Sequence, residues 1–231
     1  MATKKNETMV NIVPPKFKEI QITIVGLTPL MTNPFSNKSR IALPDAPEAE
    51  KPTLPNKKKP PVIAHNNMMD ALYWLTEKPD HGKDEDEAEA IWNSVKDDAA
   101  FGFPVTGIKQ SIITGAYRAG LDVKQTELRA SFWLRGATEH GTQDLAEIVG
   151  PAPSLRIDIG RNSGINRSAK HCIRPEFATW EIPLVMKYIE NGRYTIDQML
   201  SLINYGGFAS GIGEWRPEKD GQHGMYELKV K

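Results

Sequence analysis

The stretch Thr195-Ile-Asp-Gln-Met-Leu-Ser-Leu-Ile-Asn-Tyr205 runs into Gly206-Gly-Phe-Ala-Ser-Gly-Ile-Gly-Glu-Trp-Arg-Pro217. A further turn, Asp220-Gly-Gln-His-Gly224, then leads into Met225-Tyr-Glu-Leu-Lys-Val-Lys231. The first segment has the apolar spacing of an amphipathic helix and the last reads as a strand, so the glycine-rich piece is a helix-to-strand loop. Six glycines fall between Gly206 and Gly224. Glycine tolerates positive φ and close backbone approach, as a phosphate cradle or a subunit contact requires. Trp215 and Arg216 add a stacking plane and a guanidinium at the same place. A dinucleotide fingerprint is excluded, because that motif follows a strand and opens a helix.

Working outward from this loop, Trp180 to Glu190 reads as a strand closed by the Asn191-Gly192 turn. Leu155-Arg-Ile-Asp-Ile-Gly160 alternates as a second strand. It opens into a Gly-, Ser- and Asn-rich segment, so that 155–175 forms a basic hairpin or loop. Arg156, Arg161, Arg167, Lys170 and Arg174 there face one acid, Asp158. Mobile cations of this kind suit a phosphate backbone, which demands charge and reach more than shape; an exposed hairpin with ordinary surface arginines is the other reading. Leu128 to Arg135 and Leu145 to Val149 also read as strands. Before them, Phe101 to Arg118 carries a short apolar stretch and a helix capped near Thr106. Ile108, Ile112, Ile113 and Tyr117 form its apolar face, with Lys109 and Arg118 off it.

In the first half, Phe17 to Thr28 alternates Ile20, Ile22 and Ile24 against Glu19, Gln21 and Thr23, which predicts a half-buried strand. Residues 1–15 read as a flexible N-terminus and 44–61 as a Pro-rich, Lys-bearing linker. Asn66 to Leu75 reads as a helix with Met69, Leu72, Tyr73 and Leu75 buried. The acidic insertion 77–98, centred on Asp84-Glu-Asp-Glu87, reads as a solvated loop in preference to a metal site. Without the insertions, the expected fold class is α+β. The expected core is ferredoxin-like or RRM-type, β-α-β-β-α-β, within one domain spanning 16–231.

Composition limits the function. Lys+Arg and Asp+Glu balance at 29 each in 231 residues, so a nucleic-acid partner needs a local patch in place of a global field. The single Cys172 excludes an intramolecular disulfide and a multi-cysteine zinc site, and it fits a reducing compartment. The N-terminus lacks the apolar core of a signal peptide, and no apolar run is long enough to span a bilayer. The five histidines are scattered, without HExxH spacing, and no GxSxG or Walker loop is present. His171 and Cys172 are adjacent and make a poor catalytic pair on a strand. Asp158, Glu181 and Glu214 could serve a metal nuclease, but nothing in their spacing marks them out. The expectations are therefore no cofactor, no catalytic set and a cytoplasmic location.

Gly102-Phe-Pro-Val-Thr-Gly-Ile-Lys-Gln-Ser-Ile-Ile113 resembles the "proline, short loop, lysine, helix" signature of the RAMP superfamily, the RRM-fold backbone subunits of CRISPR effector complexes. Gly206 to Trp215 resembles that superfamily's C-terminal glycine-rich loop, and Leu27-Thr-Pro-Leu-Met31 fits its first turn. The chain is also similar to bacteriophage proteins closing in a GxGEWRPEKDGxxG stretch, which tend to look like replication or recombination accessory proteins. It departs from the CRISPR pattern in the Trp-Arg-Pro after the glycines and in its Pro-rich and acidic insertions. The resemblance implies an RRM-like core that polymerises along a single strand in a bacterial host. Lys109 and the loop containing Gly207, Gly211 and Gly213 would then face the nucleic acid, and residues 29–63 would reach the neighbouring subunit.

The leading expectation is a non-enzymatic protein that binds single-stranded DNA or RNA and forms a homo-oligomer, with recombination or effector-complex proteins as further partners. Backbone contacts are expected from Lys109, Arg156, Arg161, Arg167, Lys170, Arg174 and Arg216, with stacking from Trp215. The alternatives are a protein–protein module whose acidic run mimics phosphates and, less favoured, a metal-dependent nuclease.

Overall fold

The alternation around Ile20, Ile22 and Ile24 fixes the centre of the molecule. In the computed structural model, which describes residues 13–34, 62–161 and 169–229 (the side chains of Arg161, Ala169 and Lys170 apart), this stretch is strand β1, Phe17–Gly26. Ile22 and Ile24 are buried. Strand β9, Glu181–Ile189, pairs antiparallel along it from Phe17↔Ile189 to Val25↔Glu181. Strand β5, Phe132–Gly136, flanks β9, and β10, Tyr226–Leu228, flanks β1. The sheet order is β10-β1-β9-β5, with every pair antiparallel.

Two helices pack against this sheet: α3, Val105–Arg118, and α5, Ile196–Ala209. Ile108 and Ile112 of α3, with Met199, Leu202 and Ile203 of α5, join Ile22, Ile24, Leu184 and Met186 in one apolar cluster. Helix α5 opens with a capping box. Thr195 Oγ1 accepts from the Gln198 amide and Gln198 Oε1 from the Thr195 amide, which stabilises the helix by about 1 kcal/mol. The helix continues past Tyr205, where the sequence reading ends it, because Gly206 and Gly207 are needed inside it for close packing. A Cβ on Gly206 would lie 2.7 Å from the Ile112 Cα, and one on Gly207 would lie 1.8 Å from the Tyr226 carbonyl oxygen. Ser111 Oγ donates to the Gly206 carbonyl at 3.1 Å and lies 3.0 Å from the buried Tyr226 hydroxyl, tying α3, α5 and β10 together.

The remaining elements are insertions into this frame. Between β1 and α3 lie β2, Leu30–Met31, helix α1, Ala64–Asp70, strand β3, Tyr73–Trp74, helix α2, Glu85–Val95, and strand β4, Phe101–Pro104. Helix α4, Gln125–Ser131, precedes β5, and β6 (Leu145–Glu147), β7 (Ser154–Arg161) and β8 (Ala169–Phe177) precede β9. They add sheets ordered β2-β8-β7 and β3-β4-β6. The described residues thus form a mixed α+β structure of five helices and three antiparallel sheets. Edge-on contacts among Trp74, Phe101 and Phe177, with Trp92 beside them, join the insertions into the same core.

Several local expectations change. The acidic run begins α2 in place of a solvated loop. Asp84 accepts from the Glu87 amide at 2.9 Å, Glu87 accepts from the Lys83 amide at 2.7 Å, and negative charge suits a helix N-terminus. Leu128 to Arg135 is not one strand: α4 runs to Ser131 with Leu128 buried, and the period-2 pattern starts only at Phe132. The helix expected over Asn66–Leu75 spans Ala64–Asp70 and gives way to β3, with Tyr73 and Leu75 half-buried. Helix α3 starts after Pro104 without a Thr106 side-chain cap, and its Tyr117 is exposed. Of the two readings of 155–175, hairpin or loop, β7 and β8 pair antiparallel as a hairpin's strands do.

Candidate nucleic-acid interface

The glycine loop folds onto the protein itself. Gly211 and Gly213 take left-handed φ values of 66° and 77°; a Cβ on Gly213 would lie 2.3 Å from the Met31 carbonyl oxygen, and one on Gly211 would lie 2.7 Å from Pro217 Cδ. The Glu214 amide donates to Met31 O at 2.9 Å, and the Ile212 amide to Gly224 O at 2.9 Å. With Gly207 buried in α5 against β10, all three glycines expected to face nucleic acid face protein atoms. Trp215 also has a left-handed φ of 51°, a conformation rarely adopted by a bulky residue.

Charge pairing links this loop to the β7–β8 hairpin. Arg156 Nε donates to Asp158 Oδ2 at 2.7 Å, its Nη1 donates to Glu176, and its guanidinium lies 5.8 Å from the Trp215 ring centroid. The hydrogen bonds it donates to Asp158 and Glu176 hold the Arg156 guanidinium above its ordinary range despite some burial. Trp215 is also edge-on to His223, at 5.9 Å. Arg174 Nε donates to Glu214 Oε2 at 2.5 Å, and Asn33 Nδ2 donates to Glu214 Oε1 at 2.6 Å. Arg216 pairs with Glu218 and donates to the Gly213 carbonyl at 2.9 Å. The sequence reading weighs the basic stretch against Asp158 alone. Folding brings Glu176, Glu214 and Glu218 to the same cations, so Arg156, Arg174 and Arg216 are ion-paired. Arg167 and the side chains of Arg161 and Lys170 lie outside the description.

Lys109 does not project freely from α3. Its Nζ donates to the Arg129 carbonyl at 2.8 Å and lies 5.2 Å from the Phe132 ring centroid, and burial pulls its pKa down. The structure therefore brings Arg156, Arg174, Trp215 and Arg216 together, while Lys109 sits apart on the helical layer.

The sheet face turned away from α3 and α5 carries residues absent from the expected site. Since neighbours on a strand alternate, Phe17, Glu19 and Gln21 share this face with Lys187 and Val185 of β9 and with Trp133 and Arg135 of β5. Pairing register sets them in rows, Glu19–Lys187–Trp133 and Gln21–Val185–Arg135, with Phe17 opposite Ile189. Phe17 is 58% exposed and Trp133 38%. Lys187 Nζ stands 5.2 Å from the Phe17 ring centroid, and Arg135 Nη2 lies 3.6 Å from Glu19 Oε2. Two aromatic rings and two cations thus lie across three adjoining strands. The signal was available in the outward half of β1's alternation and in Trp133 and Arg135 alternating with Phe132 and Leu134.

Among the described residues no cluster of three His, Cys, Asp or Glu side chains could hold a metal ion, and no helix is long and apolar enough to cross a membrane. No protein-family model matches the chain, and comparison with curated proteins returns no match.

Proposed function

We propose that this protein binds single-stranded nucleic acid on a ferredoxin-like, RRM-type core and assembles side by side along the strand. The core reading is supported by chain order β1-α3-β5-β9-α5-β10 with sheet order β10-β1-β9-β5. Counting the four strands in sequence, that is the 4-1-3-2 antiparallel order of the ferredoxin-like fold. One face is taken by the two helices and the other is left for a ligand.

The observation that carries the binding proposal is the pair of exposed rings, Phe17 and Trp133, with Lys187 between them on the helix-free face. Bases stack on aromatic rings for about 1–3 kcal/mol each, whatever the sequence, and Lys187 can meet a neighbouring phosphate, while Arg135 is paired with Glu19. Glu19 and Glu181 are on the same face, so the reading favours stacking over bulk electrostatics. With about one phosphate contact, log K should fall against log salt with a slope of roughly −0.7. Assembly is supported by the hairpin. Among the described residues β7 is the outer strand of its sheet, with Ile157 and Ile159 exposed beside an unpaired strand edge.

Fluorescence anisotropy with labelled oligo(dT) and oligo(U), at several salt concentrations, tests the binding. Wild-type binding that Phe17→Ala with Trp133→Ala reduces strongly, at unchanged salt slope, supports the reading. No binding by wild type, or wild-type affinity in the double variant, sinks it.

A further inference from the structure

Away from the helix-free sheet face, the β7–β8 hairpin carries a strand edge whose side chains are complementary to themselves. The ladder from Ser154↔Glu176 to Arg161↔Ala169 is unbroken, so β7 alternates regularly along its eight residues. β8 pairs with one side of β7, and among the described residues no strand and no backbone hydrogen bond meets the other side. Edge strands are commonly blunted by Pro, Lys or a bulge, and Ser154-Leu-Arg-Ile-Asp-Ile-Gly-Arg161 has none of these. Ile157 is 53% exposed and Ile159 76%, on the same face as half-buried Leu155. Arg156 and Asp158 share the opposite face.

Backbone geometry restricts how this edge can meet a second copy of itself. The N–H and C=O groups of a strand point alternately to its two sides, so residues of one parity serve β8 and those of the other serve the open edge. Two copies of the edge can therefore pair antiparallel only with residues of like parity opposite each other. The two-fold axis then passes through a residue and not between two. Two such registers use all but one of the eight residues of β7. An axis through Asp158 sets it against the partner's Asp158, and like charges directly opposite are destabilising. An axis through Ile157 sets Arg156 against the partner's Asp158, and Asp158 against the partner's Arg156. On the other face Ile157 then meets the partner's Ile157, and Leu155 meets the partner's Ile159. Arg156 and Asp158 already pair at 2.7 Å within the chain, with side chains 33% and 25% exposed, so the axis joins two such pairs into one four-charge network.

We propose that β7 is a self-recognition edge: a second copy of this chain adds to it antiparallel about Ile157. The sheet β2-β8-β7 then continues through its two-fold mate as six strands. This pairing supplies a contact for the assembly proposed above and rests on that reading, but not on single-strand binding.

Sedimentation equilibrium of the full chain from about 1 to 100 µM tests the proposal. A monomer–dimer equilibrium is expected. Ile157→Lys should weaken it at least about tenfold, because two ammonium groups meet on the axis. Asp158→Arg should weaken it similarly, since each Arg156 then faces an arginine. Under mild oxidation Ile157→Cys should give a disulfide-linked dimer, because directly opposed Cα atoms lie about 4.5–5.5 Å apart. Ile159→Cys, and wild type with Cys172 alone, should not. Circular dichroism matching wild type shows each variant to be folded. Phe17→Ala with Trp133→Ala should dimerise as wild type does, and Ile157→Lys should bind a short oligonucleotide as wild type does, so the two readings fail separately. A chain that stays monomeric to about 100 µM overturns the proposal. So does wild-type dimerisation by folded Ile157→Lys or Asp158→Arg, or crosslinking through Ile159→Cys in place of Ile157→Cys.

Discussion

The glycine loop and the helix-free sheet face contain the same kinds of side chain, put to opposite uses. In the loop, Trp215 lies against Arg156 and His223, Arg174 is held by Glu214, Arg216 by Glu218, and the glycines admit backbone atoms of neighbouring segments. On the sheet, Phe17 and Trp133 are exposed, and among the described residues Lys187 makes no ion pair and stands over the Phe17 ring. Residue type alone does not separate an internal clasp from a binding surface. What separates them is whether folding delivers complementary charge and backbone to the same place.

The sharpest division should come from Gly207→Ala. The added methyl would overlap the Tyr226 carbonyl, so α5 and β10 must part. Overpacking at a backbone contact costs about 3 kcal/mol or more, equivalent to a fall in Tm of roughly 6–12 °C for a domain of this size. Differential scanning calorimetry measures it. If Gly207→Ala melts with wild type but loses nucleic-acid affinity, the loop is a binding surface after all and the contrast collapses.

The order of the main elements was legible in the sequence because it is written in periodicity. Ile20, Ile22 and Ile24 alternate, Met199, Leu202 and Ile203 follow a helical period, and both patterns survive in the structure. What was not legible depends on partners distant in the chain. Arg174 looks unopposed until Glu214, forty residues away, reaches it. Gly206 and Gly207 resemble turn residues until Ile112 and Tyr226 press on them, and the acidic run resembles a loop until Asp84 is seen capping a helix. The boundary between α4 and β5 is hidden for a local reason: the helix ends at Ser131 and the strand begins at Phe132, so the change of period falls inside one apolar-looking segment.

Next in size is the loss expected on the sheet face. Phe17→Ala and Trp133→Ala should each cost about 1–3 kcal/mol in single-strand affinity, roughly fivefold to 150-fold, without a change in Tm of comparable weight. The side chains are exposed, so removing them opens no cavity. Anisotropy titrations paired with thermal melts would check both halves of this expectation. Trp215→Ala should do the reverse. Removing a half-buried ring from between Arg156 and His223 should lower stability by about 2 kcal/mol and leave affinity within a factor of about two. Should Trp215→Ala cost more affinity than Trp133→Ala, the stacking assignment must move to the loop.

The smallest effect, and the most discriminating one, belongs to Arg216→Ala. Arg216 and Glu218 are both about one-quarter to one-third exposed, at 30% and 26% for their side chains, and an exposed or half-exposed ion pair contributes well under about 1 kcal/mol. The additional bond to the Gly213 carbonyl adds a similar amount, so the melt should fall by only a few degrees. Since its charge is already met by Glu218, removing Arg216 should leave both the affinity and the salt slope as they are. Loss of a phosphate contact behaves differently, weakening binding alike on every sequence and lowering the salt slope by about 0.7. Titration of Arg216→Ala at several salt concentrations therefore asks of the loop the question that Trp133→Ala asks of the sheet. A parallel shift with a reduced slope would mean that the clasp opens to bind nucleic acid.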